Sequence, residues 1–187
     1  MTFEKAFTLL GDVNGWLSEN EGRLLWNTAL ETTGTILEVG CYYGRSTLLL
    51  AQLTRLVYSI DSFGGFDSHD PSGDTVRRGF LTNLERHKII NVILFHQRIE
   101  DWEPRSCGFA YLDGDHTYAG TVAQIDKVLL CGVSAIAAHD VNDAGEGVVV
   151  KRACLEKLGP WKERIERLAV WEINGAAKCN SMPPEKP

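Results

Sequence analysis

Ile36-Leu-Glu-Val-Gly-Cys-Tyr-Tyr-Gly-Arg-Ser-Thr47 opens with a short apolar run holding a single carboxylate, passes two glycines four residues apart, and leads into a helical stretch. An apolar segment of strand length that ends on glycine and turns at once into a helix reads as a buried parallel strand with its crossover helix. The helix is expected from Ser46 to Leu53, with Leu48, Leu49, Leu50 and Leu53 as its apolar residues. The same unit then recurs. Leu56 to Ile60 is a second strand ending on Asp61, Asn91 to Phe95 a third, Gly108 to Leu112 a fourth ending on Asp113, and Val133 to Ala138 a fifth ending on His139-Asp140. Between them lie a helix around Val76 to His87 and another whose Tyr118, Val122, Ile125 and Leu129 share one face; a third follows from about Glu146 to Leu158.

The flanks complete the pattern. Ser18 followed by Glu21 forms a capping box that opens a helix with Leu24, Leu25 and Leu30 on its buried side. After the last helix, two strands are expected around the Asn174-Gly175 pair, the dipeptide best suited to a tight hairpin. Strands alternating with helices specify an α/β fold, a doubly wound, mostly parallel seven-stranded sheet of Rossmann-like type with a C-terminal antiparallel hairpin. Residues 1–180 are expected to form a single domain with 1–33 as an N-terminal helical cover, and the proline-rich 181–187 to fray.

At 187 residues and 44% hydrophobic composition, the chain is long enough to build one core without staples. Its net charge of −6, with no basic stripe, argues against a nucleic-acid partner. The N-terminus lacks the form of a signal peptide. The longest uncharged apolar run, Val128 to His139, falls short of the ~20 residues that a membrane span needs, so no membrane partner is expected. Five cysteines (41, 107, 131, 154 and 179) without CxxC spacing read as reduced, mostly buried thiols of a cytoplasmic protein. Trp16, Trp26 and Trp102 read as core residues, with Trp16 also placed to pack in the N-terminal cover; a homo-oligomer is compatible with the sequence, which leaves the oligomeric state open.

Ligands of such sheets bind at the carboxyl ends of the strands, near the point where strand order reverses. Those ends are acidic here: Glu38 within the first strand, then Asp61, Asp113 and Asp140. One aspartate there could cap a helix, but four acids at one edge point to a ligand. The dinucleotide fingerprint fails, because the positions that require its second and third glycines hold Tyr42 and Arg45. An inward carboxylate at Glu38 would repel a phosphate and suit an ammonium, while the helix start near Ser46 offers amides to a carboxylate. Asp61 is placed to accept from both hydroxyls of a ribose. S-adenosylmethionine combines these parts.

Ile36 to Thr47 resembles motif I of class I S-adenosylmethionine-dependent methyltransferases, most closely the catechol O-methyltransferase-like enzymes. Leu112-Asp-Gly-Asp-His-Thr-Tyr118 and Ala138-His-Asp-Val-Asn142 resemble motifs of small-molecule O-methyltransferases, including the metal-dependent enzymes that methylate antibiotic sugars. The resemblance spans about residues 14 to 155. It implies that Glu38, Gly40, Tyr42, Gly44 and Ser46 line the methionine end of the cofactor, that Asp61 holds the ribose, and that Arg98 and Ile99 flank the adenine. It also implies a small-molecule hydroxyl as acceptor.

Related metal-dependent enzymes take one ligand from the aspartate after the fourth strand and two from an adjacent pair after the fifth. Those positions are Asp113, shared with the cofactor site, and His139-Asp140. The relatives usually hold two acids, or an acid and an asparagine, at that pair; His139 departs from this and tilts the expected ion from Mg²⁺ toward Mn²⁺ or a later metal, with Asn142 as a substitute oxygen ligand. His116 is the first choice for the general base and Asp115 the second, with a helix cap as the alternative role for Asp115. Two other readings stay open: an NAD-dependent oxidoreductase on a similar fold, and a non-catalytic module that has kept the S-adenosylmethionine pocket.

Overall fold

The computed structural model describes residues 1–64 and 73–173. Two short helices come first, α1 (Phe3–Thr8) and α2 (Glu19–Leu30), followed by β1 (Ile36–Val39), α3 (Arg45–Ala51) and β2 (Val57–Asp61). Next are α4 (Gly73–Arg86), β3 (Val92–His96), a 3-10 turn (Ile99–Asp101), β4 (Phe109–Leu112), α5 (Tyr118–Leu129) and β5 (Ala135–Ala138). The order closes with α6 (Gly147–Leu158), β6 (Glu163–Ile165) and β7 (Leu168–Glu172). The sheet runs β3-β2-β1-β4-β5-β7-β6, parallel except for β7, which is antiparallel to both β5 and β6. The chain winds outward from β1 in one direction and from β4 in the other, so the reversal point lies between these two neighbours.

Every residue of β1, β4 and β5 is buried, as strands covered on both faces require. Their side chains alternate between two cores. Ile36, Phe109, Tyr111, Ala135 and Ala137 join Leu25, Leu49 and Leu50 on the face covered by α2 and α3. Leu37, Val39, Ala110, Leu112 and Ile136 join Ile125, Val128 and Cys154 on the face covered by α5 and α6. Cys41, Cys107, Cys131 and Cys154 are free and buried, and among the described residues no helix is long and apolar enough to cross a membrane.

The Ser18–Glu21 capping box is present with both of its bonds. Three expectations need correction. The antiparallel pair turns between Ile165 and Leu168, with Glu166 in the left-handed region at φ 52°; Asn174-Gly175 and the tail 181–187 lie outside the described residues. Leu30 is 58% exposed, because the helical period sets it on the side of α2 shared with Arg23 and the exposed Asn27, away from the side that Leu24, Leu25 and Ala29 bury. Trp16 is 66% exposed rather than in the core, whereas Trp26 and Trp102 are buried.

The approach of β1 to β4 depends on Gly40, which follows β1 with φ 83°; a Cβ there would lie 2.1 Å from the Asp113 carbonyl oxygen. Gly132, at φ 72°, has open space around it. Gly132→Ala should therefore cost only the backbone penalty of about 1–2 kcal/mol. Gly40→Ala must also push two strand ends apart and should cost clearly more. Urea unfolding of both variants measures this, and equal losses would contradict the packing described.

Candidate active site

The loop from Gly40 to Gly44 hangs on Asp61. One oxygen of this carboxylate, Oδ2, accepts from the backbone N–H of Cys41 (2.8 Å) and Tyr42 (3.0 Å), and Oδ1 accepts from Phe63 N–H (2.7 Å). A carboxylate has about four acceptor positions. Three are in use among the described residues, and within these Asp61 has room for one ligand hydroxyl where two were expected. The loop's tight course shows in Tyr42, a non-glycine residue at φ 48°. Its ring packs against Trp16 at 5.2 Å and Tyr43 at 4.7 Å, so the exposed Trp16 lies over the loop.

Glu38 is fully buried, and the expected contact with a ligand ammonium at the rim gives way to a supporting role. The strand pleat turns its side chain to the α2–α3 face, beneath the first turn of α3. Ser46 Oγ donates to Oε1 (2.6 Å), while Thr47 Oγ1 (2.5 Å) and Ser59 Oγ (2.9 Å) donate to Oε2. Burial pushes its pKa up to about 7 against the lowering effect of these hydroxyls, and the Asp113 charge adds to the rise. Ser46 is likewise buried, its hydroxyl spent on Glu38. Arg98 is exposed and paired with Glu100 at 2.9 Å, whereas the Ile99 side chain packs into the α5–α6 core, not onto an open rim.

A second cluster gathers at the ends of β4 and β5. Asp113 Oδ2 accepts from Tyr111 Oη at 3.0 Å. Asp113 Oδ1 lies 3.6 Å from His139 Nδ1 and 3.5 Å from His116 Nε2; Asp140 Oδ2 lies 3.4 Å and 3.5 Å from the same two atoms. Asp140, in the left-handed region at φ 54°, also accepts from Arg167 Nη1 at 2.9 Å. The far side of the buried His139 faces Glu21 Oε2, 3.4 Å from Nε2. The structure thus brings Asp113, His116, His139 and Asp140 together. One ligand atom from each of Asp113, His139 and Asp140 falls within 4.8 Å of the others, a donor set that fits a divalent cation.

Asp115 is exposed; its Oδ1 accepts from Thr117 N–H at 2.8 Å, and Thr117, not Asp115, caps α5. His116 Nε2 is buried and lacks a hydrogen-bond partner among the described residues. The adjacent Asp113 raises the His116 pKa above its ordinary value, against the effect of burial. Burial alone would lower the His139 pKa, but Asp113, Asp140 and Glu21 raise it to about 10. Burial would raise Glu21, but the nearby His139 and hydrogen bonds from the Ser18 and Arg167 backbone hold it at about 2. Arg167, and the burial of Glu21 beside His139 beyond its part in the capping box, escaped the sequence reading. Glu21 sits three and four residues before Leu24 and Leu25, on the same helical face, and that spacing was a signal that it is buried. A separate cavity of about 450 Å³, between α2 and β6–β7, lies away from this chemistry and is lined by Asn20, Asn27 and Glu31 among others.

Residues 37–141 match the family model described as Methyltransferase domain. Among solved structures, the chain is similar to CalS11, described as calicheamicin methyltransferase and as TDP-rhamnose 3'-O-methyltransferase of calicheamicin biosynthesis. The first of its two structures is 17% identical with a TM-score of 0.64, the alignment covering 92% of this chain and 91% of that one. It is also similar to the methyltransferase PaMTH1 of Podospora anserina, bound to S-adenosylhomocysteine, at 13% identity and a TM-score of 0.64 over 91% of this chain and 88% of that one. An O-methyltransferase of Bacillus cereus, in complex with S-adenosylhomocysteine, matches at 18% identity and a TM-score of 0.53 over 81% of this chain and 76% of that one.

The Glu21–His139 pair predicts a stability optimum for the metal-free protein. Glu21, lowered from 4.5 to about 2, contributes stability that is full above 4.5 and lost as pH falls through 2. His139, raised from 6.5 to about 10, contributes stability that is full below 6.5 and lost as pH rises through 10. In EDTA, His139→Asn should therefore lower the melting temperature most between these limits and least at about pH 10.5. A difference independent of pH would contradict the ion pair.

Proposed function

This chain belongs to the Methyltransferase domain family, and from that premise we propose that it is a cytoplasmic enzyme transferring the methyl group of S-adenosylmethionine to a hydroxyl of a small molecule, aided by a divalent cation. One observation carries the reading. An imidazole nitrogen of His116, buried and without a hydrogen-bond partner among the described residues, lies beside a two-aspartate, one-histidine cluster, and that cluster abuts the Gly40 loop at the reversal point of the sheet. The donor chemistry supports a cation, and the glycine loop secured by Asp61 supports a nucleoside ligand beside it. The net charge of −6 fits a small-molecule acceptor better than a nucleic acid.

S-adenosylmethionine supplies a methyl group already activated on sulfonium. Gly40, Tyr42 and Gly44 would bound its methionine end, with Glu38 and Ser46 holding that loop's helix from beneath. Asp61 would accept from one ribose hydroxyl, and the backbone beside Arg98 and Ile99 would border the adenine. A divalent cation on Asp113, His139 and Asp140 would lower the pKa of the acceptor hydroxyl. Ionising a phenol-like hydroxyl of pKa about 10 at pH 7 costs about 4 kcal/mol, and a sugar hydroxyl costs more. His116 is the group placed to take the proton as the oxygen–methyl bond forms and the sulfur–methyl bond breaks. Asp115, with Oδ1 held by Thr117, is the reserve.

Calorimetry with S-adenosylhomocysteine should show binding where NAD shows none, and Asp61→Ala should weaken it more than tenfold. His116→Gln should lower turnover by about 10²–10⁴-fold while leaving that affinity within a factor of three. Binding of NAD in place of S-adenosylhomocysteine would overturn the proposal. Equal losses of affinity and turnover would assign His116 a structural role.

A further inference from the structure

Glu21 was legible in the sequence as half of a capping box, yet its side chain does more than cap. It is 1% exposed, and its two oxygens accept from Ser18 N–H and Arg167 N–H, each at 3.0 Å, so the start of α2 and the β6–β7 turn hold it in place. The same carboxylate faces His139 Nε2 at 3.4 Å. The opposite nitrogen, Nδ1, faces Asp140 Oδ2 at 3.4 Å and Asp113 Oδ1 at 3.6 Å.

These separations exceed the 2.7–3.2 Å of an ordinary hydrogen bond. The two on the Nδ1 side are close to the spacing of donors that share one ion: atoms about 2.1 Å from a common centre in tetrahedral arrangement lie about 3.4 Å apart. A carboxylate behind a histidine fixes which ring nitrogen keeps its proton and leaves the other lone pair for a metal. Here the Glu21 carboxylate stands 3.4 Å from Nε2, which has no hydrogen-bond partner among the described residues, and the opposite nitrogen points at two aspartates. Mg²⁺ prefers an all-oxygen octahedron and retains water, whereas imidazole suits later first-row ions.

We propose that Glu21 is the positioning residue of a mixed nitrogen–oxygen cation site, holding His139 so that Nδ1, Asp113 and Asp140 take a first-row transition ion of the Mn²⁺-to-Zn²⁺ class in preference to Mg²⁺. This rests on the cation reading given above and adds to it the class of ion and an outer carboxylate supplied by the N-terminal helices. It ties the lie of α2 to the integrity of the cation site, because a shift of α2 withdraws the group that sets the His139 tautomer.

The test is Mn²⁺ binding to the metal-free full chain, read from the electron paramagnetic resonance signal of the free ion, with Mg²⁺ as competitor and melting temperature as the check on folding. The parent protein should bind Mn²⁺ at least tenfold more tightly than Mg²⁺. Glu21→Gln turns an amide donor toward His139 and should weaken Mn²⁺ by about 10–100-fold. His139→Asn should weaken Mn²⁺ similarly and abolish the preference over Mg²⁺, and adding Glu21→Gln to it should bring no further loss. A folded Glu21→Gln protein with Mn²⁺ affinity within threefold of the parent would overturn the proposal. Should that variant fail to fold, the nitrogen-15 spectrum of the Zn²⁺-loaded parent decides: a proton on His139 Nε2 supports the assignment, and a proton on Nδ1 overturns it. A parent that binds neither Mn²⁺ nor Mg²⁺ overturns the cation reading itself, whereas equal affinity for the two ions overturns only the selectivity.

Discussion

The close approach of Gly40 to the Asp113 backbone is the constraint on which the site depends. β1 and β4 are neighbours without being consecutive, and the chain leaves both at the same edge of the sheet. Only a residue without a Cβ lets the loop after β1 pass that close to the end of β4. With it, the loop that Asp61 secures and the cluster around Asp113 become neighbours at one edge of the sheet. Without it they would be two unrelated strand ends.

Gathering carboxylates at one edge carries an electrostatic cost, and each acid meets it differently. Glu38 is buried among three hydroxyls and raised to about 7, so near neutral pH a large fraction of it is uncharged. Asp61 accepts from three backbone amides. Asp140 is held below its ordinary value: burial would raise it, but His139, His116 and Arg167 outweigh that effect. Asp113 takes a hydrogen bond from Tyr111 and faces both histidines. Among the four, Asp113 and Asp140 keep oxygens turned toward His139, and these are the groups that would hold the proposed cation.

Much of the fold was legible because parallel strands buried on both faces leave uninterrupted apolar runs, as Phe109-Ala-Tyr-Leu112 and Ala135-Ile-Ala-Ala138 do. The C-terminal hairpin was misplaced because Asn174-Gly175 is a strong local signal, while the turn actually used, at Glu166-Arg167, contains no glycine and is stabilised from outside by Glu21 accepting from Arg167 N–H. The acids at the strand ends were found from position alone. What position could not give was depth: Glu38 is closed off by hydroxyls from α3 and β2, partners that exist only once the sheet has formed. Trp16 failed in the opposite sense, since its composition suggests a core residue while it is 66% exposed over the half-buried ring of Tyr42.

A crystal structure of the complex with S-adenosylhomocysteine addresses the central claim most directly. The account predicts the nucleoside in the crevice between β1 and β4, one ribose hydroxyl on the free oxygen position of Asp61, and the sulfur on the side of the crevice that opens toward His116. A nucleoside bound elsewhere, or rotated so that its sulfur faces away from the Asp113–Asp140 cluster, would contradict it.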